Sequence, residues 1–200
     1  MGLLVCGTLL IASAAVAGIP DQDCSSAVTA AAQQVSVYSC PQGDGNPING
    51  CMAYPGVTNV DATITANLCD INGDPVFLYP ASDIWLESAT KGFTYCAGGT
   101  NADADTDING DTTFSNTLFA GFSGSGAVVV VNGTVINAPL DILFNSPDID
   151  GSLVVNLTDV ILFAQDYYGA YNYRSDFYWD GNLNLSDIVI LAVHNTHVCP

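Results

Sequence analysis

Positive charge is almost missing from this chain. Lys91 and Arg174 are its two basic residues, against 20 acidic ones, for a formal net charge of −18. Nucleic acid and anionic membrane surfaces repel such a protein, so neither is expected as a partner. Glutamate is scarce as well, Glu87 being the single Glu. A general surface-charge strategy would use both acids. Asp has the shorter side chain; it folds back on its own backbone in Asx-turns and converges on ions held by tight loops. Histidine is confined to His194 and His197, at the extreme C-terminus, where a catalytic triad would be peripheral. No CxxC pair, Gly-rich phosphate loop or GxSxG occurs, which argues against zinc ribbons, thioredoxin-type sites, P-loops and nucleophile elbows. Asp is plentiful enough for a glycosidase pair, but Asp in turn motifs seldom acts as a catalytic acid, so no catalysis is expected. A transition-metal site at His194, His197 and Cys199 is the weaker reading; helix-end polar residues and a disulfide account for these three better.

Hydrophobicity is high in spite of the charge, so a packed core is within reach. The first 17 residues, MGLLVCGTLLIASAAVA, form an apolar run with an A-x-A ending, like a signal peptide, although the usual basic n-region is missing. Cleavage there leaves a chain with no membrane association and six cysteines: Cys24, Cys40, Cys51, Cys69, Cys96 and Cys199. An even number in an exported chain reads as disulfides. Sequence does not choose among the connectivities; spacing suggests Cys40–Cys51, Cys69–Cys96 and Cys24–Cys199.

Residues 18–33 read as a helix or an N-terminal arm. From 34 to 144 the signal is β. VDATITANL (60–68) alternates cleanly, and further strands are expected at 34–39, 76–79, 83–86, 93–97, 112–115, 127–131, 134–137 and 141–144. VNGT (131–134) is a two-residue hairpin signal. Many short strands at this spacing predict an antiparallel β-sandwich.

Residues 145–200 change character. LTDVILFAQDYY (157–168) and LSDIVILAVHN (185–195) have helical spacing, each starting with Thr or Ser followed by Asp, which complements the helix dipole. Each follows an acidic stretch, and the two units repeat one another. A twelve-residue calcium loop needs hard oxygens at alternate positions and a closing carboxylate from the next helix. Counted from Asp148, positions 1, 3, 5, 7, 9 and 12 are Asp148, Asp150, Ser152, Val154 (backbone carbonyl), Asn156 and Asp159. Counted from Asp176, the ligand positions hold Asp176, Asp180, Asn182 (backbone carbonyl), Asn184 and Asp187, with Tyr178 at position 3.

This tail resembles the dockerin module, whose repeat is D-x-N-x-D-G-x-(V/I)-N-x-x-D. The resemblance implies two Ca2+ ions, a compact pair of loop–helix units and, often, a cohesin partner that reads positions 10 and 11, here Leu157-Thr158 and Leu185-Ser186. Two departures stand out. Leu153 occupies the position where the family has Gly, and Leu resists positive φ. Tyr178 replaces a ligand. Crowded carboxylates without a cation are unfavourable, which favours ion loops over plain Asx-turn caps.

DINGD (70–74) reads as a hairpin turn. NADADTDINGD (101–111) alternates Asp103, Asp105, Asp107, Asn109 and Asp111, and is either a further ion loop or a solvated acidic one. DINGDPVFLYPASDIWL also resembles, loosely, the D-x-x-G-x-P-V pattern of bacterial immunoglobulin-like domains. Asn132 in NGT is a candidate glycan acceptor; Asn156 and Asn184 also match the sequon, but at loop positions. The aromatics between the helices, Tyr167 to Trp179, exceed what one small core needs and suggest an interface. The expectation is therefore a mainly β protein with a small α tail: an immunoglobulin-like β-sandwich followed by a dockerin-like calcium module. Its expected role is a secreted, disulfide-bonded structural subunit that self-associates, with N-terminal strand addition as one route. A cohesin-docking module is the rival, and a carbohydrate-binding sandwich a remote third.

Overall fold

The computed structural model describes residues 18–200 apart from Lys91, so the signal-like segment 1–17 lies outside the described residues. In chain order the strands are β1 (Ser26–Thr29), β2 (Val35–Tyr38), β3 (Cys51–Ala53), β4 (Asn59–Val60), β5 (Ile64–Asn67), β6 (Ile84–Ser88), β7 (Thr94–Tyr95), β8 (Asp111–Phe114), β9 (Ala120–Gly121), β10 (Gly124–Val131), β11 (Thr134–Val135) and β12 (Leu140–Asn145). Two helices follow, α1 (Leu157–Tyr168) and α2 (Leu185–Val193). The protein is thus mainly β with a small helical tail.

One antiparallel sheet runs β1-β5-β8. A larger sheet runs β11-β10-β12-β2-β3-β4, with β6 on β10. Within it β12 and β2 are parallel, Ile142 facing Val35 and Asn145 facing Tyr38. Side chains from both sheets meet in one apolar core that includes Ile64, Phe114, Val37, Val129 and Phe144. The alternation of VDATITANL is realised there, with Ala62, Ile64, Ala66 and Leu68 buried. The NG hairpin forms as expected: Asn132 and Gly133 both have positive φ, and Val131 faces Thr134.

Several expectations are corrected. Residues 18–33 form neither a helix nor a free arm. Ser26–Thr29 pairs antiparallel with β5 as the edge strand of its own sheet. VFLY (76–79) is not a strand: Leu78 has φ 57° and breaks the extended run, although Val76 is buried and its N–H reaches the Leu68 carbonyl. The strands expected at 93–97 and 134–137 shrink to two residues each, and α2 stops at Val193 with His194 as its cap. The suggested cysteine pairing is wrong. Cys24 joins Cys69 and Cys96 joins Cys199. Cys40 and Cys51 are free and buried; Cys51 lies in the sandwich core, while Cys40 follows β2.

The tail packs on the outer face of the large sheet. Val35 and Val37 of β2 point into the sandwich; Tyr38 points the other way, into a second apolar cluster with Ile149, Val155, Phe163, Phe177 and Leu191. Asn145, fully buried at the end of β12, donates from Nδ2 to the Asp176 carbonyl at 2.9 Å. Trp179 is completely buried, edge-on to Tyr54 at 5.0 Å between ring centroids. Part of the aromatic excess is therefore an internal interface between tail and sheet, while Tyr168 remains exposed.

Candidate metal centre

The two loop–helix units are built alike, and local chemistry explains why. Asn156 and Asn184 are N-caps with complete capping boxes. Their Oδ1 atoms accept from the Thr158 and Ser186 N–H groups, both at 2.8 Å. In return the Asp159 and Asp187 carboxylates accept from the N–H of Asn156 and Asn184, at 2.8 and 2.9 Å. Each closing Asp also accepts from the loop, Asp159 from the Asp150 N–H and Asp187 from the Tyr178 N–H, at 3.0 and 2.9 Å. The first Asp of each loop is treated alike as well. Asp148 Oδ2 accepts from Leu153 N–H at 2.8 Å, and Asp176 Oδ2 from Gly181 N–H at 2.9 Å.

The backbones match even where the residues do not. Both loops take positive φ at positions 4 and 6: Gly151 (71°) and Leu153 (64°) in the first, Trp179 (58°) and Gly181 (81°) in the second. Leu153 thus adopts the conformation that its side chain disfavours. A left-handed non-Gly residue costs roughly 1–2 kcal/mol, so each loop carries one such strain at the opposite place from its repeat. Strain tolerated twice in the same pattern marks a geometry that the rest of the fold imposes.

Four carboxylates in these loops, Asp148, Asp159, Asp176 and Asp187, are completely buried. Burial pushes the Asp148 carboxyl up to about 6, and neighbouring Asp159 pushes in the same direction. Asp159, Asp176 and Asp187 are likewise raised, first by loss of water, with Asp150, Asp187 and Asp180 respectively adding repulsion. The Asp176 Oδ1 atom is buried with no hydrogen-bond partner. Arg174 does not relieve any of them. It forms a two-pronged pair with Asp166, Nε to Oδ2 at 2.6 Å and Nη2 to Oδ1 at 3.0 Å.

Carboxylate oxygens of Asp148, Asp150 and Asp159 lie within 4.8 Å of one another. In the second loop Asp180 is held aside, accepting from Asn184 Nδ2 at 2.9 Å and from Asn182 N–H at 2.9 Å. The Ser152 hydroxyl and the Asn156 Nδ2 both donate to the Val154 carbonyl, at 3.2 and 2.9 Å. The Asn182 carbonyl accepts from Asn184 Nδ2 at 3.4 Å. The first loop therefore gathers its acids; the second buries Asp176 and Asp187 and turns Asp180 toward its cap. The donor set in both is hard oxygen, the chemistry that suits Ca2+ rather than a softer metal.

No protein-family model, curated protein or solved structure matches this chain.

The acids of 101–111 are not gathered. Asp103 accepts from Thr113, Ser115 and Asn116 side chains. Asp105 accepts from Ala81 N–H and Asp111 from Asn67 Nδ2. Asp107 Oδ1 closes the turn on Asn109 and Asp111 N–H groups at 2.8 and 3.0 Å. Asp70 does the same with Asn72 and Asp74. Both DINGD copies are one and the same Asx-turn, and the carboxylates of 103–111, read as a further ion loop or a solvated acidic one, are spread over turn and sheet-edge hydrogen bonds. Asn132 is exposed at the β10–β11 hairpin tip. Two contributors escaped sequence reasoning. Tyr171, whose hydroxyl donates to Asp176 Oδ2 at 2.7 Å, lies 3.1 Å from the hydroxyl of Tyr54, the residue that follows β3. No local pattern announces such a contact.

Proposed function

We propose that this protein is a non-catalytic, calcium-stabilised structural subunit of an exported assembly: an immunoglobulin-like sandwich carrying a dockerin-like pair of Ca2+ loop–helix units. Two disulfides support an oxidising destination. Among the described residues no helix is long and apolar enough to cross a membrane. Buried, mutually repelling carboxylates and the orphaned Asp176 Oδ1 support the ion. Asp148, Asp150 and Asp159 would hold it in the first loop, Asp176 and Asp187 in the second. Calcium supplies positive charge that lets these acids stay ionised while buried; the chain supplies the cage.

One observation carries self-association. The outward faces of α1 and α2 are apolar at matching positions of the repeat: Leu157 and Leu185 are each 70% exposed, and Val160 with Ile188 and Ile161 with Val189 accompany them. The helix acids Asp159, Asp166 and Asp187 are all buried, so this face exposes no helix charge. Between copies of a chain at −18, like charges repel over most of the surface. An uncharged apolar face with internal two-fold likeness is where a second copy meets least repulsion and buries most area. Sedimentation of the calcium-saturated whole protein tests this. The wild type should associate with rising concentration and L157D/L185D should not. A wild type that stays monomeric at high concentration removes the proposal. Leu157-Thr158 and Leu185-Ser186 also suit the cohesin-docking reading; direct binding to a purified cohesin-like protein by such a monomer would favour it.

A further inference from the structure

We propose that Cys40, Asp44, His194 and His197 form a second metal site, of a different kind from the loops, that takes a zinc-class divalent transition ion and clasps the C-terminus to the sandwich. Their ligand atoms all lie within 4.8 Å of one another. His197 Nδ1 is 3.6 Å from Cys40 Sγ and 3.1 Å from Asp44 Oδ2, and His194 Nε2 is 3.8 Å from the same oxygen. A tetrahedral ion with bonds of about 2.0–2.3 Å separates its ligands by roughly 3.3–3.8 Å. The three distances fall within a few tenths of an ångström of that range.

Protonation geometry points the same way. His194 Nδ1 lies 2.7 Å from the Ile190 carbonyl, which can only accept, so Nδ1 carries the proton. With Nδ1 so occupied, Nε2 is the nitrogen that faces the Asp44 carboxylate, where either a proton or a bound metal cation bridges the two. A carbonyl fixing the far nitrogen is the usual way a ligating imidazole is oriented. Tyr38, edge-on to the same ring at 5.5 Å, limits its rotation.

The backbone around the four residues is specialised. Cys40 and Asp44 sit on one tight turn, closed by Gly43 N–H on the Cys40 carbonyl at 2.8 Å. A Cβ on Gly45 would fall 2.2 Å from the Tyr38 carbonyl oxygen, and one on Gly43, at φ 80°, 2.2 Å from the Phe119 ring. Neither position admits a side chain without rearrangement. Between the two histidines, Thr196 has φ 77°, a rare conformation for a β-branched residue. It is held there by Thr196 N–H to the Val155 carbonyl and Val155 N–H to the His197 carbonyl, both 2.9 Å. Across this turn the two imidazoles lie side by side, ring centroids 5.1 Å apart. Cys199 is occupied by Cys96, so the thiol of the set comes from across the fold. Thiolate and imidazole select a zinc-class ion over Ca2+. Four protein ligands describe a closed, structural centre.

Cobalt(II) reads this site directly. Whole protein, stripped of transition metals, kept in Ca2+ and shown to have Cys40 and Cys51 as free thiols, is titrated with Co2+. One equivalent should give the intense visible bands of tetrahedral cobalt and a thiolate charge-transfer band, both abolished by Zn2+. C40S should lose the charge-transfer band. H197A, on the more exposed side, should weaken Co2+ binding by roughly tenfold or more, and Zn2+ should raise the melting temperature of the wild type but not of H197A. Absence of the charge-transfer band in the wild type, or its persistence in C40S, overturns the proposal; so does unchanged affinity in a folded H197A.

Discussion

If buried acids in the tail loops need a cation, removing calcium should reverse the sign of the protein's pH dependence. Asp148 carries the worked case. Its carboxyl is raised from 3.8 to about 6 on folding, with burial the main cause. At 1.36 kcal/mol for each pKa step, that difference is worth roughly 3 kcal/mol. An acid with a raised folded pKa binds its proton more tightly in the folded state. In calcium-free protein its penalty is absent below pH 3.8, grows as pH rises and is complete above about pH 6. Asp159, Asp176 and Asp187 are shifted the same way and steepen the loss. Calcium needs the ionised acids, so its contribution grows over the same interval. At free Ca2+ about a thousandfold above Kd it reaches roughly 4 kcal/mol. For a chain of this size that is a melting-temperature gap of roughly 8–16 °C at neutral pH.

Trp179, fully buried at position 4 of the second loop, is a built-in reporter. A W85F background leaves it as the only Trp. Thermal unfolding is followed by its fluorescence from pH 4 to 8, in chelator-stripped protein and in excess calcium. Stability should fall with pH without calcium, and hold or rise with it. D148N should be stabilising without calcium and destabilising with it. Superimposed curves with and without calcium at pH 7 would refute the reasoning.

Leu153→Gly removes a left-handed leucine and should stabilise the calcium-bound protein by about 1 kcal/mol in chemical denaturation, whereas glycine at Trp179, the left-handed non-Gly residue of the second loop, should destabilise it by emptying a buried site. Arg174→Ala strands the 9%-exposed Asp166 carboxylate without its pair and should cost about 3 kcal/mol; adding Asp166→Asn should recover part of that. Replacing Cys96 and Cys199 by Ser opens a crosslink spanning 103 residues and should cost roughly 4–5 kcal/mol. Hydrogen exchange should then rise first at the backbone pairing of Val155 with Thr196 and His197.

Features decided within a few residues were legible in the chain itself. The helix at 157–168 follows from apolar spacing and from the Thr158-Asp159 pair at its start. The DINGD turns follow from an Asp whose carboxylate reaches N–H groups two and four residues on. The alternation of 60–68 told which side of that strand faces the core. Such contacts need no knowledge of the chain path. What the sequence left open was decided by partners far along the chain. QVSVYS alternates along a strand, yet all of β2 is buried, because the tail returns over its outer face. Asp103 to Asp111 alternate as an ion loop would, but strand neighbours draw their carboxylates to different donors. Spacing pointed Cys40 to Cys51; folding instead sets Cys40 beside Asp44 and a histidine 157 residues away. Local hydrogen bonds compete over a few dihedral angles, whereas these long-range choices are settled together, when two sheets and a tail close on shared cores and leave each polar group the neighbours that remain.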